Sequence, residues 1–265
     1  MRLRLLHFSP STATGRHDSH RATLGFHSFA REAANEALAQ SGVRIEVEQV
    51  WALPSITSKP AAQALLTGAD LLVLASPTYA QGSPWFVRRF LELGAGLQLW
   101  GGLATAFATA GGLHTGGEMT VIDTLRSWQG LGLCTFTFSQ KYVVLGAQQK
   151  FASDGLFDLI DVWFLRQLAR TCIVQLLARS TPGSGPEWAR RFQLDTGYYN
   201  QFPTQETMES QLGNIRDRMN APLHEGASGY AWWHAMLGDP ALPPDASTLP
   251  FHSLLPEPPV SMPHG

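Results

Sequence analysis

LLVLASPTYAQGSPWFVRRFLE, Leu71 to Glu92, decides how the chain is read. Leu71-Leu72-Val73-Leu74-Ala75 is a short continuous apolar run, the pattern of a strand buried on both faces in the middle of a parallel sheet. Ser76 to Ser83 then turns abruptly to hydroxyls, Pro and Gly, and Pro84 stands where a first helical residue would, its missing N–H costing nothing there. Strand, polar loop and helix start in that order build a binding edge, because open α/β sheets take their ligands beyond the carboxyl ends of the strands.

The same unit repeats on either side. Leu3 to Phe8 reads as a first strand, followed by a hydroxyl-rich turn over Ser9 to Gly15. A helix is expected over Leu24 to Gln40, with Phe26, Phe29, Ala33, Ala34, Ala37 and Leu38 on one face, and Ser41-Gly42 ends it. Val43 to Val50 alternates as a second strand, and Pro60 to Leu66 is a short helix. After a helix over Pro84 to Leu97 come an apolar strand over Leu103 to Ala110, a helix over Glu118 to Gly130, a last strand over Thr135 to Leu145 and a long helix over Phe157 to Arg179. Five strands alternating with helices imply a doubly wound parallel sheet covered on both faces.

Residues 1–180 form this unit, and residues 181–265 form a C-terminal extension. The run Thr181 to Pro186 is linker-like, and Thr204 to Met219 is one more expected helix, with Met208, Leu212, Ile215 and Met219 aligned. Prolines crowd the chain from Asp239 onward, which predicts an irregular tail.

The 265 residues carry a net charge of −2 and only 15% charged side chains. That balance argues for neither a nucleic-acid partner nor a membrane surface, and the low charge points to extra buried surface such as a homo-oligomer interface. MRLRLLHFSPS is too short for a signal-peptide core, and no uncharged stretch is long enough for a membrane span. Phe157 to Ala178 carries Asp158, Asp161, Arg166 and Arg170 and is a globular helix. Cys134 and Cys172 lie in apolar segments without metal-ligand spacing, so both read as buried thiols and the cytoplasm as the default compartment.

Three loops at strand ends, Ser9 to Gly15, Ser76 to Ser83 and Thr109 to Gly117, combine Gly with hydroxyl residues and almost no charge. Backbone N–H groups and hydroxyls at a helix start suit a phosphate without Lys or Arg, in outline an arrangement for flavin mononucleotide (FMN).

These residues resemble a known superfamily. Ser76-Pro77-Thr78-Tyr79 through Pro84, Arg88, Leu91 and Glu92 is similar, without a gap, to the T-P-x-Y…P…K…L-D segment of NADPH-dependent FMN reductases. TAGGLHTGGE, Thr109 to Glu118, resembles the corresponding loop of WrbA-type NAD(P)H:quinone reductases. Ser9, Ser11 and Thr14 match the S-x-T-G-x-T phosphate loop of flavodoxin-like proteins. About a dozen extra residues, including Arg16 to Arg21, precede the first helix. A second register, with His20 and Gly25-Phe26 ahead of Glu32-Ala33-Ala34, resembles the start of mammalian-type quinone reductases.

The resemblance implies a flavodoxin-like sheet of order 2-1-3-4-5 that holds FMN. Ser9, Ser11, Thr12 and Thr14 would meet its phosphate. Pro77, Thr78, Tyr79, Ala80, Gly82 and Ser83, with Thr109, Ala110, Gly111, Gly112 and His114, would meet its ring. It further implies hydride transfer from NAD(P)H as co-substrate to a quinone, flavin or similar small acceptor, in a homodimer or homotetramer. The alternatives are a flavodoxin-like electron carrier, for which a nearly neutral chain is poorly suited, and a flavin-binding module serving a specialised role through its extension.

No side chain is required as an acid or base, and Tyr79 and His114 are the only catalytic candidates. His114 reads equally as a turn histidine. His17, Asp18 and His20 read as a solvated basic loop, with metal ligation or a phosphate contact by Arg16 or Arg21 as alternatives; no metal site is assigned. Trp85 reads first as core and alternatively as a stacking ring. Tyr198-Tyr199 and Trp232-Trp233-His234 read as burial against the first domain, with a partner subunit or a flavin cap as alternatives.

Overall fold

The computed structural model describes residues 1–8, 18–79, 81–110, 116–136, 147–150, 157–192, 194 and 204–220. In chain order the elements are β1 (Arg2–His7), α1 (Asp18–Ser41), β2 (Glu46–Trp51), α2 (Lys59–Leu66), β3 (Leu71–Pro77), α3 (Trp85–Leu93), β4 (Leu103–Ala110), α4 (Gly117–Gly130), β5 (Cys134–Thr135), β6 (Ala147–Lys150), α5 (Leu159–Ser180), α6 (Gly185–Arg191) and α7 (Gln205–Asn220). Every strand pairing is parallel, and the order is β2-β1-β3-β4, with β5 and β6 both against β4. All of β3 is buried, as its apolar run requires of a central strand.

Two cores flank the sheet. Leu3, Leu5, Leu71, Val73 and Phe107 face α1 and α5, and Phe26 of α1 stacks on Phe107 at 5.3 Å between ring centroids. Leu6, Phe8, Leu72, Leu74 and Ala106 face α2, α3 and α4, where Phe8 meets Phe90 edge-on at 5.1 Å. On this side the buried Arg4 bonds Glu48 at 2.8 Å and donates to the carbonyls of Leu65 (2.8 Å) and Thr67 (2.7 Å), satisfying the free end of α2.

The α1 side carries a further layer. Leu159–Ser180 is buried along most of its length: α6 and α7 pack against it, and Phe192, Met208, Leu212 and Met219 join its core. Asp158 caps α5 reciprocally with Asp161, and Asn220 at the end of α7 bonds both backbone groups of Phe157 at 2.8 Å. The expected stripe on α7 is therefore the face that buries.

Several expectations change. Of the expected last strand over Thr135 to Leu145, Thr135 lies on β5 beside Leu103-Ala104 and residues 137–145 lie outside the described residues, while β6 stands beside Phe107 to Ala110. Thr105 Oγ1 donates to the Phe136 carbonyl at 2.8 Å, just after β5.

Helix α1 begins at Asp18, so Asp18, His20 and Arg21 lie on a helix rather than a loop, and Arg21 is buried there. Helix α3 stops at Leu93 because Gly94-Ala95-Gly96 turns the chain, with Gly96 at φ +91°. The linker-like run leads straight into α6, which carries Pro186 in its first turn, a position where proline suits a helix. Cys172 is buried as expected, but Cys134 is exposed: on β5 the side chains alternate, and Leu133 takes the buried side.

Candidate functional site

Strands β3 and β4 run in register from Leu71 beside Leu103 to Pro77 beside Thr109, so their carboxyl ends lie side by side. The join continues past the last ladder pair, where the Thr78 N–H donates to the Thr109 carbonyl at 2.8 Å. The loop after β3 closes on itself: Tyr79 and Gly82 exchange backbone bonds of 3.1 and 3.0 Å. Gln81 lies between them at φ +64°, a conformation uncommon for a residue with a Cβ.

This loop is fastened to the start of α4. Thr78 Oγ1 donates to Thr120 Oγ1 at 3.1 Å, Thr120 Oγ1 bonds the Gly116 carbonyl at 3.2 Å, and Ser83 Oγ donates to the Thr120 carbonyl at 3.3 Å. Gly116 sits at φ +89°, and a Cβ there would stand 2.3 Å from the Gln81 backbone. Only glycine admits both the conformation and the approach. Thr120, buried in the first turns of α4, is the connecting residue that the sequence reading missed; its signal is a hydroxyl four residues after a glycine that opens a helix.

Pro77, Thr78, Tyr79, Gly82, Ser83, Thr109 and Ala110 thus converge at the carboxyl ends of two adjacent central strands. They offer hydroxyls, backbone amides and one ring, and no carboxylate. Tyr79 is half-exposed, and partial burial pushes its phenol above the usual value, keeping it neutral. Ser9, Ser11, Thr12, Thr14, Arg16, His17, Ala80, Gly111, Gly112, His114, Tyr198, Tyr199, Trp232, Trp233, His234 and the proline-rich tail lie outside the described residues.

Trp85 is not core. It opens α3 with 70% of its surface exposed, because Phe86, Val87, Phe90 and Leu91 occupy the buried face, leaving Trp85 on the outer face with Arg88, Arg89 and Glu92. Arg88 approaches Asp123 at 3.9 Å and Arg89 approaches Glu92 at 3.7 Å. Between α3 and α4 runs an open cleft of about 470 Å³, lined by Arg88, Leu91, Glu92, Asp123, Arg126 and Ser127.

No family model matches the chain, and no curated protein matches it. Among solved structures it is similar to azoreductase from Bacillus anthracis str. Sterne, at a TM-score of 0.48 and 11% identity over 65% of this chain and 99% of that one. It is also similar to a flavodoxin, WrbA-like protein from Agrobacterium tumefaciens, at 0.45 and 14% over 68% and 97%. A third likeness is to rubredoxin oxygen:oxidoreductase from Desulfovibrio gigas, at 0.44 and 16%, where 68% of this chain spans only 37% of that one. These likenesses concern the fold alone. The parallel order 2-1-3-4-5, with helices on both faces, gives this chain a flavodoxin-like fold.

Proposed function

We propose that this protein is an FMN-dependent NAD(P)H oxidoreductase that passes a hydride from NAD(P)H to a quinone, flavin or similar small acceptor. The observation that carries the reading is the fastening of the β3 loop to the β4 edge and α4. Thr78, Gly116 and Thr120 join the β3 loop to the end of β4 and the start of α4, where an ordinary αβ turn needs no such link. A wall of neutral hydroxyls, amides and a partly exposed ring suits the isoalloxazine system of a flavin.

Bound FMN would supply the hydride-accepting and hydride-donating chemistry. The chain's part is placement. Pro77, Thr78, Gly82 and Ser83 would hold one side of the ring, and Thr109 and Ala110 its neighbour. Thr120 keeps the Thr78 hydroxyl fixed, and Tyr79 would cover the ring edge as a neutral phenol. The cofactor would also draw on Ser9, Ser11, Thr12 and Thr14 for its phosphate, and on Ala80, Gly111, Gly112 and His114. A cytoplasmic homodimer or homotetramer belongs to the same reading, supported by the 15% charged fraction.

The test is the visible spectrum of purified protein supplied with FMN, recorded before and after anaerobic NADPH. Flavin bands that bleach with NADPH and return on adding a quinone are expected. Protein that binds no FMN overturns the reading, and bound FMN that NADPH leaves oxidised turns it into a carrier.

A further inference from the structure

We infer that Trp85 is a residue that selects the acceptor, by offering an indole face to a planar, uncharged ring. This rests on the FMN-bound reading for the location of the ligand, and extends it to a residue outside the loops.

Trp85 occupies the solvent stripe of α3, i, i+3, i+4 and i+7 with Arg88, Arg89 and Glu92, so helix packing does not call for an indole there. It is nevertheless held. Pro84 fixes the entry to α3, and Phe86, buried beside it, meets the Trp85 ring edge-on at 5.9 Å. Phe86 meets Tyr79 in the same manner at 6.3 Å. One buried ring therefore orients two exposed ones, Trp85 on the helix and Tyr79 on the loop that would border the flavin. Aromatic side chains placed in this way give large apolar contact at small entropic cost and accept any ring with a π face.

The surroundings choose among occupants. Arg88 is opposed by Asp123 and Arg89 by Glu92, so the neighbourhood has no single-sign field to steer a charged protein. Counted once each, Arg88, Arg89 and Arg126 stand against Glu92 and Asp123, which leaves a small positive balance and both signs interspersed. Exposed rings within a surface of mixed, nearly balanced charge match a planar small molecule recognised by its ring.

The experiment titrates 1,4-naphthoquinone into the oxidised FMN-loaded protein and follows the flavin visible band, for wild type, Trp85→Ala and Trp85→Phe. A dissociation constant about tenfold higher in Trp85→Ala, and within about twofold of wild type in Trp85→Phe, is expected. Turnover then separates ring recognition from electron transfer: kcat/KM for naphthoquinone relative to ferricyanide falls by a similar factor in Trp85→Ala. An unchanged dissociation constant in Trp85→Ala that still binds FMN overturns the inference. So does an unchanged constant with altered size on gel filtration, which would assign the ring to a second copy. Wild-type protein that fails to bind FMN defeats the underlying reading instead, and the inference with it.

Discussion

The two faces of the sheet are built to different depths. On the α1 side, α5 lies under α6 and α7, and most of its residues are buried. On the α3 side the described residues place a single layer of helices over the sheet, with Trp85, Arg88, Arg89 and Glu92 on its outer face. The difference teaches where stability resides: the thick side carries reserve burial, and on the thin side hydrogen bonds to Thr109 and Thr120 hold the β3 loop.

Removing the extra layer breaks this comparison most severely. A chain ending at Ser180 loses Phe192, Met208, Leu212 and Met219 from the α5 core. At roughly 1.5–3 kcal/mol for each large buried side chain, the loss is on the order of 6–12 kcal/mol, close to the whole stability of a domain. Such a chain should be insoluble or lack a cooperative thermal transition by circular dichroism. A soluble truncation melting with the full chain would show the layer to be an appendage.

The thin side is most sensitive at Gly116. Gly116→Ala places a Cβ 2.3 Å from the Gln81 backbone at φ +89°, whereas Gly68→Ala meets nothing within 4 Å at φ +76°. Both pay for the left-handed conformation, so their difference isolates the contact between loops. Roughly 2–5 kcal/mol is expected for Gly116→Ala against about 1 kcal/mol for Gly68→Ala in urea unfolding, with FMN affinity falling only in the first. Equal losses would mean that the loops are not clamped.

A smaller effect tests how the layer is attached. Asn220 makes two bonds of 2.8 Å to the Phe157 backbone, next to the Asp158 cap of α5. Asn220→Ala should cost about 1–3 kcal/mol while leaving the circular dichroism spectrum intact. A change below about 0.5 kcal/mol would assign the attachment to Met208, Leu212 and Met219 alone.

The two faces were not equally legible. β3 could be read because a strand buried on both sides needs an apolar run, and α7 because Met208, Leu212 and Met219 recur at helical spacing. β6 is Ala147-Gln148-Gln149-Lys150, polar enough to read as loop, and only its pairing with β4 makes it a strand. Trp85 misleads because Trp85-Phe86-Val87 looks like one apolar block, although α3 turns its first member outward. In the candidate site, the loops' composition is visible in sequence. The contact of Gly116 with Gln81 and the link through Thr120 are tertiary and leave only faint local traces.

The cysteines give the smallest effect on stability and the cleanest contrast between a buried and an exposed position. Cys172 lies within the α5 core, and burial pushes its thiol well above the ordinary 9.0. Its folded pKa is raised, so the advantage of the neutral buried thiol is complete below about pH 9 and is lost as pH rises beyond it, when the unfolded chain ionises first. Cys134 is exposed on β5. Native protein at pH 8 should therefore release one equivalent of thionitrobenzoate from a disulfide reagent, and a second only after denaturation. Cys134→Ser should abolish the native equivalent and move stability by no more than about 0.5 kcal/mol. Two native equivalents would mean that α5 opens to solvent, and the thick side would then be no more closed than the thin one.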